Sequence, residues 1–236
     1  MPDPGPVAHH LAALRERVDA AARAAGRDPA DVRVLLATKT MPADVVREAV
    51  LAGADLLGEN RVQELVAKAP ALADLGPSWH VIGRLQSNKV NLALRDAACV
   101  ESVDELDLAD RLSRRCEAVD RDLDVMVQVN VSGEATKAGV APDDALALAL
   151  AVARLPRLRL TGLMTIGARS RDEAVVAAGF ARLRELRDAV VGSGEPGTGD
   201  AHELSMGMSG DLETAIAEGS TLVRVGTAVF GERPRA

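Results

Sequence analysis

Eight short apolar runs, alternating with helix-forming stretches, limit the fold of this chain more than any other feature. The runs fall at residues 32–39, 55–60, 79–83, 98–103, 124–131, 158–166, 202–206 and 222–230. Runs without strict apolar–polar alternation suit parallel strands covered on both faces. Helices are expected over 42–52, after the second run to about residue 73, and over 86–95, 104–119, 142–155, 172–191 and 211–218, with Asp104 as an N-cap. Ahead of them, Val7, Leu11, Leu14 and Val18 share one face of an extra N-terminal helix that should end near Gly26. In 236 residues, eight strand–helix units fit a closed (β/α)8 TIM barrel better than an open doubly wound sheet. No GxGxxG follows the first strand, which counts against a dinucleotide-binding fold. The expected organisation is one barrel domain over 1–236, with a Gly/Pro-rich loop at 192–200.

A barrel of this kind gathers its chemistry at the C-terminal ends of its strands. Lys39 ends the first run, where partial desolvation would free its amine as a nucleophile for an aldehyde. The same lysine could instead snorkel to solvent or pair with Glu59. Asn60 ends the second run. Ser205, Gly207 and Ser209 follow the seventh, and Gly226 and Thr227 lie in the eighth. Small residues there let backbone N–H groups approach an anion, and the loops after strands seven and eight are a frequent phosphate site in such barrels. Turn formation and helix capping by Ser209 or Asp211 would explain the same residues. Arg224 sits inside an apolar run, so its charge needs a partner: Glu203, Glu101 or a ligand. An arginine offers donors only; facing a pyridine nitrogen, it would keep that nitrogen unprotonated and the ring a weak electron sink.

Composition removes several function classes. There is one Trp, two Phe and no Tyr, so tyrosine chemistry is excluded and a stacking platform for single-stranded nucleic acid is not expected. A net charge of −7 gives no general attraction to nucleic acid or anionic lipid. No stretch approaches the roughly 18 apolar residues of a membrane span, and no apolar signal core follows residues 1–6; a cytosolic location is the expectation. Only Lys39, Lys68, Lys89 and Lys137 could carry lysine-specific chemistry. Cys99 and Cys116 lack metal-ligand spacing and read as buried thiols. His80 reads as a packed strand residue, His9 and His10 as solvated, and Lys137 as a mouth or loop charge.

The segments LLATKTMP (35–42), GENRVQE (58–64), WHVIGRLQSNK (79–89), VESVDE (100–105), QVNVSGEATKAG (128–139), GLMTIG (162–167), LSMGMSGD (204–211) and VRVGTAVFG (223–231) resemble the pyridoxal phosphate homeostasis protein family. The family's first motif is closer to VSKTKP; here Ala37 and Thr38 replace Val and Ser, and Met41 replaces a second lysine. Arg61 stands where Tyr is common. The resemblance implies a barrel like the N-terminal domain of alanine racemase, without that enzyme's second domain. It implies pyridoxal 5'-phosphate (PLP) as cofactor in a covalent Schiff base (aldimine) on Lys39. The phosphate would be held around Ser205, Ser209, Gly226 and Thr227, with ring contacts from Asn60 and Arg224 at the pyridine nitrogen. It further implies a cytoplasmic, often monomeric PLP carrier or buffer without established catalysis, with PLP-dependent apoenzymes as recipients. The alternative is a racemase-like enzyme on amino acids; two-base racemisation in this fold pairs lysine with tyrosine, and this chain has no tyrosine.

Overall fold

The computed structural model describes residues 5–134 and 136–231. Eight parallel strands close in chain order: β1 (Arg33–Ala37), β2 (Leu56–Glu59), β3 (Ser78–Val81), β4 (Cys99–Val103), β5 (Leu123–Gln128), β6 (Leu158–Met164), β7 (Glu203–Ser205) and β8 (Leu222–Val225). β8 returns to β1 in the register Leu35↔Arg224 and Leu36↔Val225. The helices are α1 (Pro6–Ala24), α2 (Ala43–Leu51), α3 (Val62–Lys68), α4 (Val90–Ala93), α5 (Leu106–Ala118), α6 (Pro142–Ala153), α7 (Glu173–Gly192), α8 (Leu212–Ala217) and α9 (Thr227–Phe230). The structure is therefore the TIM barrel expected from the strand–helix rhythm, with the extra N-terminal helix.

Side-chain alternation along each strand sorts the core into two layers. Leu36, Leu57, Val81, Val100, Val125, Leu163, Val223 and Val225 face the surrounding helices. Leu35, Leu56, Ile82, Cys99, Met126, Met164 and Leu222 fill the barrel interior. Alternation thus puts Arg224 inside, in phase with Leu222. Both cysteines are buried and free.

α1 buries Val7, Leu11, Leu14 and Val18, the face its spacing predicts. It lies against α2, α8 and α9, across the seam where β8 meets β1. Polar side chains fasten it: Arg15 donates to the carbonyl of Gly53 at 2.6 Å, and Arg27 to those of Ile216 and Ser220 at 2.9 and 2.7 Å. His10 is not simply solvated, since its Nδ1 lies 3.0 Å from the Val229 carbonyl oxygen.

Several boundaries differ from the sequence reading, four of them near the strand ends or helix starts that matter here. β1 stops at Ala37, so Lys39 belongs to the following loop. The run at 222–230 breaks at Gly226, where a Cβ would lie 2.8 Å from the Ala37 carbonyl oxygen, and the chain turns into α9 instead of extending. Residues 86–95 hold a short 3-10 turn, Ser87–Lys89, before the four-residue α4. Glu105, not Asp104, occupies the N-cap of α5, and its side chain makes no capping bond.

Candidate functional site

Three loops meet at the C-terminal mouth around a cleft of about 230 Å³. The β1–α2 loop contributes Lys39, Thr40 and Met41; the β7–α8 loop contributes Met208, Ser209 and Gly210; the end of β8 and α9 contribute Arg224, Gly226 and Thr227. Five sequence-predicted residues are thereby brought together: Lys39, Ser209, Arg224, Gly226 and Thr227. Lys39 is exposed at the rim, two residues beyond the strand, so the expected desolvation by β1 is not present. Among the described residues its Nζ has no hydrogen-bond or ion-pair partner. The backbone N–H groups of Ser209, Gly210, Gly226 and Thr227 likewise have no acceptor among the described residues. Four free amides, two hydroxyls and two cationic side chains on one cleft make a donor set that suits an anion.

The loop conformations follow from local sequence. Gly207 has φ +93°, and a Cβ there would lie 2.5 Å from the Ala215 Cβ, so glycine lets the chain turn tightly over α8. The Asp211 carboxylate accepts from the Met208 N–H at 2.6 Å, closing the turn. Arg17 of α1 donates to the Ser209 carbonyl at 3.0 Å and pairs with Glu213 at 2.5 Å.

Arg224 forms the floor of the cleft. It is 6 % exposed, and its Nη1 donates to Ser205 Oγ at 2.7 Å while Nη2 donates to the Thr165 carbonyl at 2.6 Å. Ser205 Oγ in turn donates to Glu101 Oε2 at 2.5 Å, and Glu101 Oε1 faces His80 Nδ1 at 2.6 Å. Donor roles along this buried chain are set by its ends: a guanidinium only donates and a carboxylate only accepts, so His80 carries its proton on Nδ1. Burial alone would push the Glu101 carboxyl up; the hydrogen bond and charge of His80, the charge of Arg224 and the Ser205 hydroxyl outweigh it and hold Glu101 below its ordinary value. Burial draws the Arg224 guanidinium down, opposed by Glu101 and Asp211. Glu101 is therefore the buried counter-charge of Arg224, acting through Ser205, while Glu203 is engaged by Arg33 instead.

Two predicted residues lie elsewhere. Ser205 is fully buried beneath the cleft with its hydroxyl committed to Glu101 and Arg224, so it orients Arg224 and does not line the cradle. Asn60 borders an adjoining hollow of about 620 Å³ with Arg61, Glu64, Arg84 and Lys89. Lys137 ties two other mouth loops together through Glu134 at 2.5 Å and the Gly167 carbonyl at 2.8 Å. Two features escaped the sequence reading. One is the Arg17 contact; the other is Lys68, which is buried and bonds the Thr38 carbonyl at 2.7 Å and Glu59 at 2.5 Å. Its signal was present in the spacing Val62, Leu65, Lys68 on the buried face of α3.

Among the described residues no group of three or more His, Cys, Asp or Glu could hold a metal ion, and no helix is long and apolar enough to cross a membrane. Residues 9–234 match the model of the alanine racemase N-terminal domain. The chain is 50 % identical over 228 residues to the pyridoxal phosphate homeostasis protein of Pseudomonas aeruginosa, covering 96 % of each chain. A solved protein of unknown function from Bifidobacterium adolescentis superposes with a TM-score of 0.93 at 44 % identity, covering 95 % of this chain and 94 % of that one. PipY of Synechococcus elongatus, solved with PLP bound, superposes with a TM-score of 0.83 at 36 % identity, covering 95 % of this chain and 100 % of PipY. With this fold, this cleft and identity of that extent over nearly the whole length, the chain belongs to the pyridoxal phosphate homeostasis protein family.

Proposed function

We propose that this protein binds PLP in the cleft between the β1, β7 and β8 loops and acts in PLP homeostasis as a reversible carrier. The observation that carries this reading is the donor set on one cleft: the Lys39 amine and four backbone amides without an acceptor among the described residues, above Arg224, whose guanidinium is held by Ser205 and Thr165. When bound, PLP supplies an aldehyde that condenses reversibly with amines and a pyridine ring that can draw electrons when protonated. Lys39 provides the amine for covalent attachment. The amides of Ser209, Gly210, Gly226 and Thr227, with the Ser209 and Thr227 hydroxyls, hold the ester phosphate. Arg224, fixed by Ser205 and Thr165, presents its remaining N–H groups to the ring nitrogen. A donor-only partner keeps that nitrogen unprotonated, which disfavours carbanion chemistry and favours storage. The name of the Pseudomonas relative and the PLP bound in PipY support the reading. The absence of tyrosine from the whole chain leaves the racemase alternative without its usual second base. We further propose one barrel domain, a monomer in the cytoplasm, with PLP-dependent apoenzymes as recipients.

The test is to load purified protein with PLP, follow its absorbance, fix the adduct with borohydride and map the four lysines by peptide mass. The expected tag is on Lys39 alone and absent from Lys39→Ala, while Arg224→Ala keeps the tag but releases cofactor faster on dialysis. Equal spectra for wild type and Lys39→Ala would refute the assignment. Exchange of the α-proton of alanine in heavy water, abolished by Lys39→Ala, would shift the reading to an enzyme.

A further inference from the structure

The segment Thr38–Lys39–Thr40 combines a backbone held on both sides with a side chain that has no partner among the described residues. Before Lys39, the Thr38 N–H donates to the Gly58 carbonyl at 2.9 Å. The Thr38 hydroxyl donates to Glu59 Oε1 at 2.6 Å, and the Thr38 carbonyl accepts from Lys68 Nζ at 2.7 Å. After Lys39, the Thr40 N–H donates to Glu64 Oε2 at 2.8 Å. Lys68 links these anchors, lying 2.5 Å from Glu59 and 3.4 Å from Glu64. Thr40 has φ +65°, a conformation that costs a β-branched residue energy and persists only where its surroundings impose it. Glu64, whose oxygen meets both the Thr40 N–H and Lys68, supplies that imposition.

We infer that Lys68, with Glu59 and Glu64, is a positioning unit that aims Lys39 into the cleft, and this rests on the proposal that Lys39 is the attachment point. Stability alone does not account for the arrangement. Taking an ammonium and a carboxylate out of water contributes little net stability compared with an apolar pair of the same volume. Glu59 Oε2 is also buried without a partner, which an arrangement serving stability only would avoid. The geometry instead fixes the two peptide units flanking Lys39, so the amine explores the cleft from a stationary root. Preorganisation of this kind raises the rate at which a tethered nucleophile meets its target.

The experiment uses the full-length protein in two assays. Residue-resolved hydrogen exchange on cofactor-free protein reads the amides of Thr38 and Thr40 against Val125 in the core. The rate of borohydride-trapped PLP tagging on Lys39 reads the chemical consequence. The paired variant Glu59→Gln with Lys68→Met removes both buried charges together and leaves only the half-buried Glu64, still bonded to the Thr40 N–H, without its Lys68 contact; Glu64→Ala keeps the test alive if the pair variant fails to fold. Exchange at Thr38 and Thr40 should quicken by about tenfold, the scale of one lost charge-assisted hydrogen bond, with Val125 unchanged. Lys39 tagging should slow by a similar factor, and Lys68→Arg should recover part of both. Unchanged protection at Thr38 and Thr40 in folded variants overturns the inference, as does lost protection with undiminished tagging. A wild type that protects the loop yet never tags Lys39 overturns the carrier proposal instead.

Discussion

Replacing Glu101 with Gln tests the buried chain beneath the cleft more sharply than any change at its surface. Gln keeps the volume but removes the charge, and its amide nitrogen cannot accept a hydrogen bond. Glu101 now accepts from Ser205 on one oxygen and from His80 on the other; Glu101→Gln breaks one of these, removes the carboxylate of the buried His80–Glu101 pair, and takes from the 6 %-exposed Arg224 the larger of its two opposing carboxylate charges, Asp211 remaining. Stripping one partner from a buried ion pair costs about 3–5 kcal/mol. For a chain of this size each kcal/mol lowers Tm by about 2–4 °C, giving a loss of roughly 6–20 °C. Acid provides an independent check. Because the folded protein holds Glu101 below its ordinary 4.5, its stabilising contribution is complete above that value and disappears as pH falls through the depressed one. Urea unfolding followed by circular dichroism should therefore show the full gap at about pH 7 and a narrower gap at about pH 3.5. The raised carboxyl of Glu59, driven by burial and opposed by Lys68 and Thr38, is common to both proteins and cancels in the difference. A gap below about 1 kcal/mol at neutral pH, the scale of one ordinary hydrogen bond, or a gap that widens in acid, would show that Arg224 is not neutralised from below.

Gly207→Ala should destabilise the protein by about 2–5 kcal/mol, combining strain at φ +93° with a Cβ contact of 2.5 Å on Ala215; chemical denaturation measures it, and a loss under about 1 kcal/mol contradicts the tight turn. Arg61, Arg84 and Lys89 border the hollow beside the cleft, and their side chains have no hydrogen-bonding partner among the described residues, so they should steer the phosphate-bearing cofactor inward. Converting all three to Gln should slow PLP association by about two- to tenfold at low ionic strength and by little in high salt, as stopped-flow absorbance would record; equal rates at low salt would exclude steering.

The barrel could be read from the chain because its signal is repeated: eight apolar runs must each find a neighbour, and closure follows from their number. The mouth could be read because parallel strands all deliver their C-terminal ends to one face, which is why Lys39, Ser209, Arg224, Gly226 and Thr227 converge. The direction of Ser205 was not legible, because a three-residue strand, Glu203–Ser205, shows too little alternation to set its phase; the neighbour Leu204, packed among the helices, shows that Ser205 turns inward. The partner of Arg224 stayed open for a different reason. Glu101 and Glu203 are both strand carboxylates, and choosing between them needs the barrel's cross-section, which a linear pattern does not contain. Lys68 was missed because a lysine on a helix is by default solvated, although its spacing with Val62 and Leu65 put it on the covered side.

The edge of the cleft is bare: Lys39, Met208, Gly210 and Thr227 all stand exposed. Among the described residues, none covers a molecule held there. On the proposed attachment to Lys39, its dwell time would be governed by the lability of a single bond and by the grip of a few amides, and an incoming amine or water could reach that bond directly. Under that proposal, turnover of the stored vitamin would be a matter of solution chemistry, set by how much competing amine surrounds the protein.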